Sequence, residues 1–263
     1  MKRSKNSILV TGGCGYIGSH TVALLLEEGY RVIIVDSNVN SQPNVIEKIK
    51  KFSKNNFENK LSFYKGDLRN YSFLYTVFNN ENQNGNKIIS VIHFAGLKSV
   101  LDSNKIPIDY WDVNVGGTIN LLKVMEINKC KNIIFSSSAT VYSKSDNLIF
   151  TENSPTNPSN PYGVTKLTVE KLLKETFHSY DKSWRIACLR YFNPIGAHPS
   201  GILGEEPLGE PNNIFPLINN VALGKQKYLK IFGFDWNTYD GTCIRDYIHV
   251  IDLAYAHIKV MKH

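Results

Sequence analysis

Short apolar runs that stop at a glycine or a carboxylate alternate along this chain with longer stretches whose apolar residues recur at helical spacing. Ser7 to Thr11 is the first such run and ends at Gly12 and Gly13, the form of a buried strand feeding a tight turn. Tyr16 to Glu28 follows, with Ile17, Val22, Leu24, Leu25 and Leu26 on a helical repeat that Gly29 stops. A second strand is expected over Arg31 to Val35, closed by Asp36. Further strands are expected over Leu61 to Tyr64, Ile88 to Phe94, Asn132 to Ser136 and Arg185 to Leu189. Between them, Ile108 to Ile127 and Gly163 to Phe177 carry the clearest helical patterns. Strand and helix in repetition predict an α/β chain built on a doubly wound parallel sheet.

The pattern changes after Tyr191. Pro194 to Asn213 is rich in glycine and proline, Ile214 to Leu223 has helical character, and short strands are expected around Leu229 to Phe232. This predicts a division into residues 1–191, a Rossmann-type nucleotide-binding domain, and residues 192–263, a smaller substrate lobe. A helix over Val250 to Met261 runs almost to the final Lys262 and His263, so the lobe is expected to be incomplete.

Composition narrows the field only a little. Hydrophobic residues at 42% and charged residues at 20% suit a globular chain and exclude disorder. The net charge of +7 resides largely in scattered lysines such as Lys48, Lys50 and Lys51. It reflects background composition or a surface that draws in nucleotides. No basic helix, zinc pattern or aromatic-basic ladder speaks for nucleic acid, and no metal site is expected. Cys14, Cys130, Cys188 and Cys243 are far apart with no C-x-x-C pair, as expected of free thiols in a reducing compartment. The first apolar run is too short for a secretory leader and no later one approaches a membrane span, so the cytoplasm is the expected location.

Three groups of residues carry candidate chemistry. Thr11-Gly12-Gly13-Cys14-Gly15-Tyr16-Ile17-Gly18 joins the first strand to the first helix. Glycines at 12, 15 and 18 permit the turn, a close approach of backbone N–H groups to a pyrophosphate and tight packing of helix on strand. Asp36, at the end of the second strand, suits the adenosine ribose and would repel a 2′-phosphate, which favours NAD over NADP; alone it would read as a turn residue. Asp67, after the third strand, is placed either to meet the adenine amine or to cap the strand end. Tyr162-Gly163-Val164-Thr165-Lys166 sets a phenol and an ammonium four residues apart on one helical face. A tyrosine near its ordinary pKa of about 10 is a poor base at neutral pH. A neighbouring ammonium and a positive nicotinamide ring would favour the phenolate, which can then take a hydroxyl proton. Ser136-Ser137-Ser138-Ala139-Thr140 lies at a strand's C-terminal end, where open α/β sheets bind ligands, and Ser138 is placed to bond the reacting hydroxyl.

T-G-x-x-G-x-x-G, then S-S-S, then Y-x-x-x-K resembles the extended short-chain dehydrogenase/reductase superfamily. More narrowly, the chain is similar to the UDP-glucose 4-epimerases, through Gly12–His20, Phe94–Lys98, Phe135–Tyr142, Tyr191–Gly201 and Arg245–Val250. That resemblance implies epimerisation at C4 of a UDP-hexose through a transient 4-keto sugar, with NAD as cofactor and a homodimer as the assembly. It implies Tyr162 as base, Ser138 as its partner on the 4-hydroxyl, and Lys166 on the nicotinamide ribose. Tyr16, Ile17, Asp36, Asn40, Asp67, Leu68, Phe94, Ala95, Lys98, Asn114 and Phe192 would line the NAD site. Lys98, Asn193, Asn213, Phe232 and Arg245 would hold the UDP-sugar, Arg245 by pairing a phosphate. Taken singly, Asn193 also fits a turn, Phe232 a core and Arg245 a surface ion pair. The family continues beyond His263, so NAD binding is expected to survive better than epimerase activity if the chain ends there. The insertion Ser143–Asn147 lacks a glycine usual at that point in the family. A dehydratase would need a carboxylate beside Ser138, where Ala139 and Thr140 stand. A catalytically silent NAD-binding regulator would be free to lose Tyr162 or Lys166, and both are present.

Overall fold

The computed structural model describes residues 5–52, 59–143, 149–179, 182–211 and 213–263; of the insertion after Tyr142, residues 144–147 lie outside these. In chain order the elements open with β1 (Lys5–Thr11), α1 (Tyr16–Glu27), β2 (Arg31–Asp36), α2 (Val45–Phe52), β3 (Leu61–Lys65) and α3 (Tyr71–Gln83). Next come β4 (Asn86–His93), α4 (Val100–Lys105), α5 (Pro107–Tyr110), a π-helical turn (Trp111–Gly116), α6 (Gly117–Ile127) and β5 (Asn132–Ser136). A 3-10 turn (Ala139–Val141), α7 (Pro161–Ser179), β6 (Arg185–Leu189), β7 (Asn193–Ile195), α8 (Ile214–Ala222), β8 (Tyr247–His249) and α9 (Val250–Lys262) complete the chain.

Six parallel strands form the main sheet in the order β3-β2-β1-β4-β5-β6. The order reverses between β1 and β4, the point at which such sheets open a crevice for a dinucleotide. Alternation along the strands feeds two cores. Leu9, Ile33, Val35 and Val91 pack one face with α3 and α6, while Ile8, Val10, Ile34 and Ile92 pack the other with α1 and α9. Both faces are covered, which is why β1 and β2 are apolar nearly throughout.

Two expectations are corrected. The helix anticipated over Ile108 to Ile127 is α5, a widened turn and α6. Gly116 and Gly117 are poor helix formers, and the Thr118 hydroxyl donates to the Asn114 carbonyl at 2.6 Å within the widened turn; such turns mark functional sites. The strands anticipated around Leu229 to Phe232 are absent among the described residues. Ile231 and Phe232 are exposed there, with no neighbouring strand to pair with, and β7 pairs in parallel with β8 instead. The last helix of the chain packs back on the sheet. Leu253, Ala254 and Ile258 of α9 are buried, Asn132 donates to the Met261 carbonyl at 3.4 Å, and Lys262 pairs with Glu28 at 2.6 Å. Helix α9 therefore belongs to the layer over the nucleotide-binding sheet, although it lies late in the chain.

Ile258→Ala is expected to destabilise the whole sheet by about 2–4 kcal/mol through lost burial and a residual cavity. Urea unfolding should show one earlier cooperative transition; a separate minor transition with the main one unmoved would assign α9 to another unit.

Candidate active site

The turn after β1 is held by backbone approach that side chains would block. Gly12 sits at φ +70°, and a Cβ there would come within 2.6 Å of the Ala95 nitrogen. A Cβ on Gly18 would lie 2.2 Å from the Gly12 carbonyl oxygen, so the first turn of α1 rests directly on the loop. Gly15 caps α1 without a side-chain hydrogen bond, which turns the helix's first N–H groups toward the loop as an anion site. Tyr16 anchors the far side, its hydroxyl donating to the Gly196 carbonyl at 2.6 Å, and Ile17 is half-buried beside it. A cleft here is lined by Tyr16, Asn40, Lys48, Lys98, Leu203 and Glu205, among others.

Asp36 ends β2 and accepts from the backbone N–H groups of Cys14 at 2.9 Å and Asn38 at 2.8 Å. The carboxylate thus ties its own turn to the glycine loop. Asp67 is gripped by Arg69, whose Nη2 lies 2.7 Å away, and Arg69 also reaches Asp112 at 2.9 Å. This guanidinium holds the Asp67 carboxyl below its usual range. The side chain of Leu68 is buried in the core; only its backbone faces outward, where Asn120 approaches the Leu68 carbonyl at 3.4 Å.

The turn after β4 lies against the glycine loop. Phe94 and Ala95 both donate to the Thr11 carbonyl, at 3.0 and 3.1 Å, and the Phe94 ring packs on His257 at 4.7 Å. Asn114 clamps this turn. Its amide accepts from the Leu97 N–H at 2.7 Å and donates to the Leu97 carbonyl at 3.1 Å and the Thr165 hydroxyl at 3.1 Å. Both N–H donors are engaged, and the buried Asn114 side chain ties the 94–98 turn to α7.

Tyr162 opens α7 and Lys166 follows one turn later, both facing the end of β5. Lys166 is buried at 6% exposure. Its ammonium donates to the Ser136 carbonyl at 3.0 Å and lies 4.8 Å from the Phe135 ring centre and 5.8 Å from that of Tyr162. Ser138 accepts from the Thr140 hydroxyl at 3.0 Å and also bonds the Tyr162 phenol. Burial pushes the Lys166 amine down to about 8, against which the Glu170 charge works. Burial pushes the Tyr162 phenol up to about 12, with Ser138 opposing and Tyr110 adding to the rise. The expected phenolate rested on the ammonium and a positive nicotinamide ring together; among the protein's side chains, burial favours the protonated phenol.

Other expected residues lie apart from this cluster. Phe192 is 40% exposed, 6.2 Å from the Phe150 ring. Asn193 begins β7, with its N–H on the Asp246 carbonyl at 3.1 Å. Asn213 caps α8 and donates to Glu205. Phe232 is 85% exposed, and Arg245 is exposed with a bond to the Ile244 carbonyl at 2.9 Å. Residues not anticipated include Ser137, Glu170 and Arg190, which form a buried network behind the site. Glu170 had a visible signal, standing one helical turn beyond Lys166.

Sheet order, glycine loop and the Tyr162/Lys166 pair together define a dinucleotide-binding protein of the extended short-chain reductase class. Residues 8–263 match the NAD dependent epimerase/dehydratase family, and the chain belongs to that family. It is 49% identical over 256 residues to UDP-glucose 4-epimerase 2 of Arabidopsis thaliana, covering 97% of this chain and 71% of that protein. It is 51% identical over 260 residues to the bifunctional protein GAL10 of Pachysolen tannophilus, of which it spans only 36%. Its fold is similar to a crystal structure of UDP-glucose 4-epimerase from Bifidobacterium longum in complex with NAD+ and UDP. The TM-score is 0.90 at 46% identity, covering 98% of this chain and 74% of that one.

The buried amine makes a signed prediction. Lys166 holds its proton in the fold only below about 8, against 10.5 ordinarily. The unfolded chain therefore binds more protons between those values, and stability rises with pH across that window. Lys166→Met is expected to be more stable than the wild type at pH 7 by up to about 3 kcal/mol. The advantage should shrink as pH rises toward 10.5. Urea unfolding at pH 7 and pH 10 checks this, and an equal advantage at both would contradict it.

Proposed function

We propose that this chain interconverts UDP-glucose and UDP-galactose by NAD-dependent epimerisation at C4. The observation that carries the reading is the meeting of Tyr162, Lys166 and Ser138 with the glycine loop's anion site at the C-terminal edge of one parallel sheet. The likeness to UDP-glucose 4-epimerases across nearly the whole chain supports it.

The residues present fit a dinucleotide. Gly12, Gly15 and Gly18 leave a cradle that any Cβ would narrow, and the start of α1 takes the pyrophosphate. Asp36 and Asn40 take the adenosine ribose, with Asp67 and Leu68 beside the adenine. Phe94, Ala95, Lys98 and Phe192 flank the nicotinamide half. Bound there, NAD would supply the hydride acceptor and donor that a 4-keto route at C4 needs, and its oxidised ring would lend the site a positive charge. Tyr162 withdraws the 4-hydroxyl proton and later returns it, Ser138 orients that hydroxyl, and Lys166 bonds the nicotinamide ribose and adds its charge beside the phenol. Asn193, Asn213, Phe232, Arg245 and Lys98 hold the UDP moiety. Phe232 and Arg245, both exposed on an irregular segment, would close on a base and a diphosphate. Firm anchoring of UDP with loose holding of the hexose is what lets the 4-keto sugar present its other face.

A second copy of the chain is the proposed partner. Between α6 and α7 runs a groove of about 750 Å³ lined by Ile119, Leu122, Leu172 and Trp184, among others, and Ile108 and Ile127 are exposed nearby. No helix among the described residues is long and apolar enough to cross a membrane. The four cysteines are free, which suits the cytosol.

Mixing the NAD-loaded protein with UDP-galactose should raise absorbance at the NADH band, and Tyr162→Phe should abolish that rise while retaining NAD. Sugar-induced reduction that persists in Tyr162→Phe would refute Tyr162 as the base.

A further inference from the structure

We propose that Glu170, paired with Arg190, is a positioning residue that keeps Lys166 charged and fixes the strand end bearing Ser138. The proposal rests on the role given to Lys166 above. Glu170 stands one turn beyond Lys166 on α7 and is 9% exposed. Its carboxylate accepts from the Ser137 hydroxyl at 2.5 Å. It also accepts from Arg190, through Nε at 3.0 and 3.2 Å and through Nη2 at 2.6 Å. Arg190 follows β6, lies 5.0 Å from the Tyr142 ring centre and donates to the Glu152 carbonyl at 3.3 Å.

Each contact points at the reacting end of the sheet. Ser137 precedes Ser138 and donates its N–H to the Leu189 carbonyl at 2.9 Å. Its hydroxyl and backbone thus tie the end of β5 to both α7 and β6. The guanidinium grips the carboxylate directly, while the ammonium one helical turn away is tied to Ser136, next to the Ser137 that Glu170 holds; the carboxylate charge acts on Lys166 across that short interval. Arg190 stays protonated throughout the accessible range. With Glu170 neutral, the half-buried Arg190 guanidinium and the buried Lys166 ammonium would lose the anion between β5, β6 and α7, and Lys166 is the one able to give up its proton.

The other groups around the pair offer no substitute. On its own helix Lys166 meets the Tyr162 ring, from β5 the Phe135 ring and the Ser136 carbonyl, and from β4 His93. His93 bridges the Thr11 and Thr118 hydroxyls, and burial with the nearby ammonium pushes it down to about 3. It is neutral at working pH. Around Glu170, β6 contributes Cys188 and Arg190, and Tyr142 stacks behind the guanidinium. Burial and Glu170 push the Cys188 thiol up to about 12, so it is uncharged as well.

The test reads charge directly. In the full chain as purified, labelled with ¹³Cε-lysine, the resonance lost in Lys166→Arg reports the titration of Lys166. Glu170→Gln preserves shape and an acceptor for Ser137 but removes the charge. Its Lys166 midpoint should fall by about one pH unit or more, and the alkaline limb of UDP-galactose-induced NADH formation should fall with it. Arg190→Gln leaves the carboxylate unopposed and should raise both. A purely structural pair would lower yield or melting temperature without these opposite shifts. Unchanged midpoints, or shifts of the same sign, would overturn the proposal. If Glu170→Gln does not fold, Arg190→Gln decides by its sign alone. A wild type that never forms NADH would sink the proposed reaction and leave the NMR titrations to judge the pair.

Discussion

Lys166 carries its amine into the core, 3.0 Å from the Ser136 carbonyl and 4.8 Å from the centre of the Phe135 ring. Taking an ammonium out of water costs several kcal/mol unless fixed dipoles and counter-charges replace its hydration. The replacement here is specific. The last carbonyl of β5 faces the ammonium, the aromatic ring next to it offers its negative face, and Glu170 supplies the counter-charge. Because that carboxylate is itself shared with Arg190, Lys166 is compensated only in part. The position of β5, the pitch of α7 and the approach of β6 all serve this single buried charge.

The sheet makes such an arrangement affordable. Strands β1 and β2 are buried on both faces, so their ends are rigid platforms and the loops that leave them inherit that rigidity. The glycine loop shows it best. Asp36 fastens the loop to the end of β2 through the Cys14 N–H, and Ala95 closes on it from the end of β4. Asn114 then links the 94–98 turn to Thr165 of α7. A continuous chain of hydrogen bonds thus runs from the pyrophosphate cradle to the helix bearing Tyr162 and Lys166. The widened turn at Trp111–Gly116 belongs to this chain, because it carries Asn114.

Period and punctuation made much of the architecture legible. Short apolar runs located the six strands of the sheet, the first two closed by glycine and by Asp36, and the helical pattern from Gly163 to Phe177 located α7. What escaped were features set by distant parts of the chain. Helix α9 has an ordinary amphipathic pattern; only its docking on α1 shows that it completes the nucleotide-binding layer. The apolar letters of Leu229–Phe232 suggested strands, but a strand needs a partner edge, and β8 pairs with β7 instead. Asn114 stood out by position, yet its role depends on which atoms reach it, and Leu97 and Thr165 occupy both its donors. Glu170 and Arg190 are separated by 20 residues of sequence, and no local spacing joins them.

The protonation states point to a division of labour between protein and cofactor. Near neutral pH the Tyr162 phenol keeps its proton, since burial has pushed it up to about 12, while Lys166, at about 8, remains largely charged. Tyr162 is then a base only while further positive charge lies beside it. An oxidised nicotinamide would supply that charge and its reduced form would not, so the phenol would favour its protonated form again beside the latter. The same residue therefore favours proton loss before the hydride leaves and proton retention afterwards. The high affinity of the buried phenol for its proton is thus part of the working design.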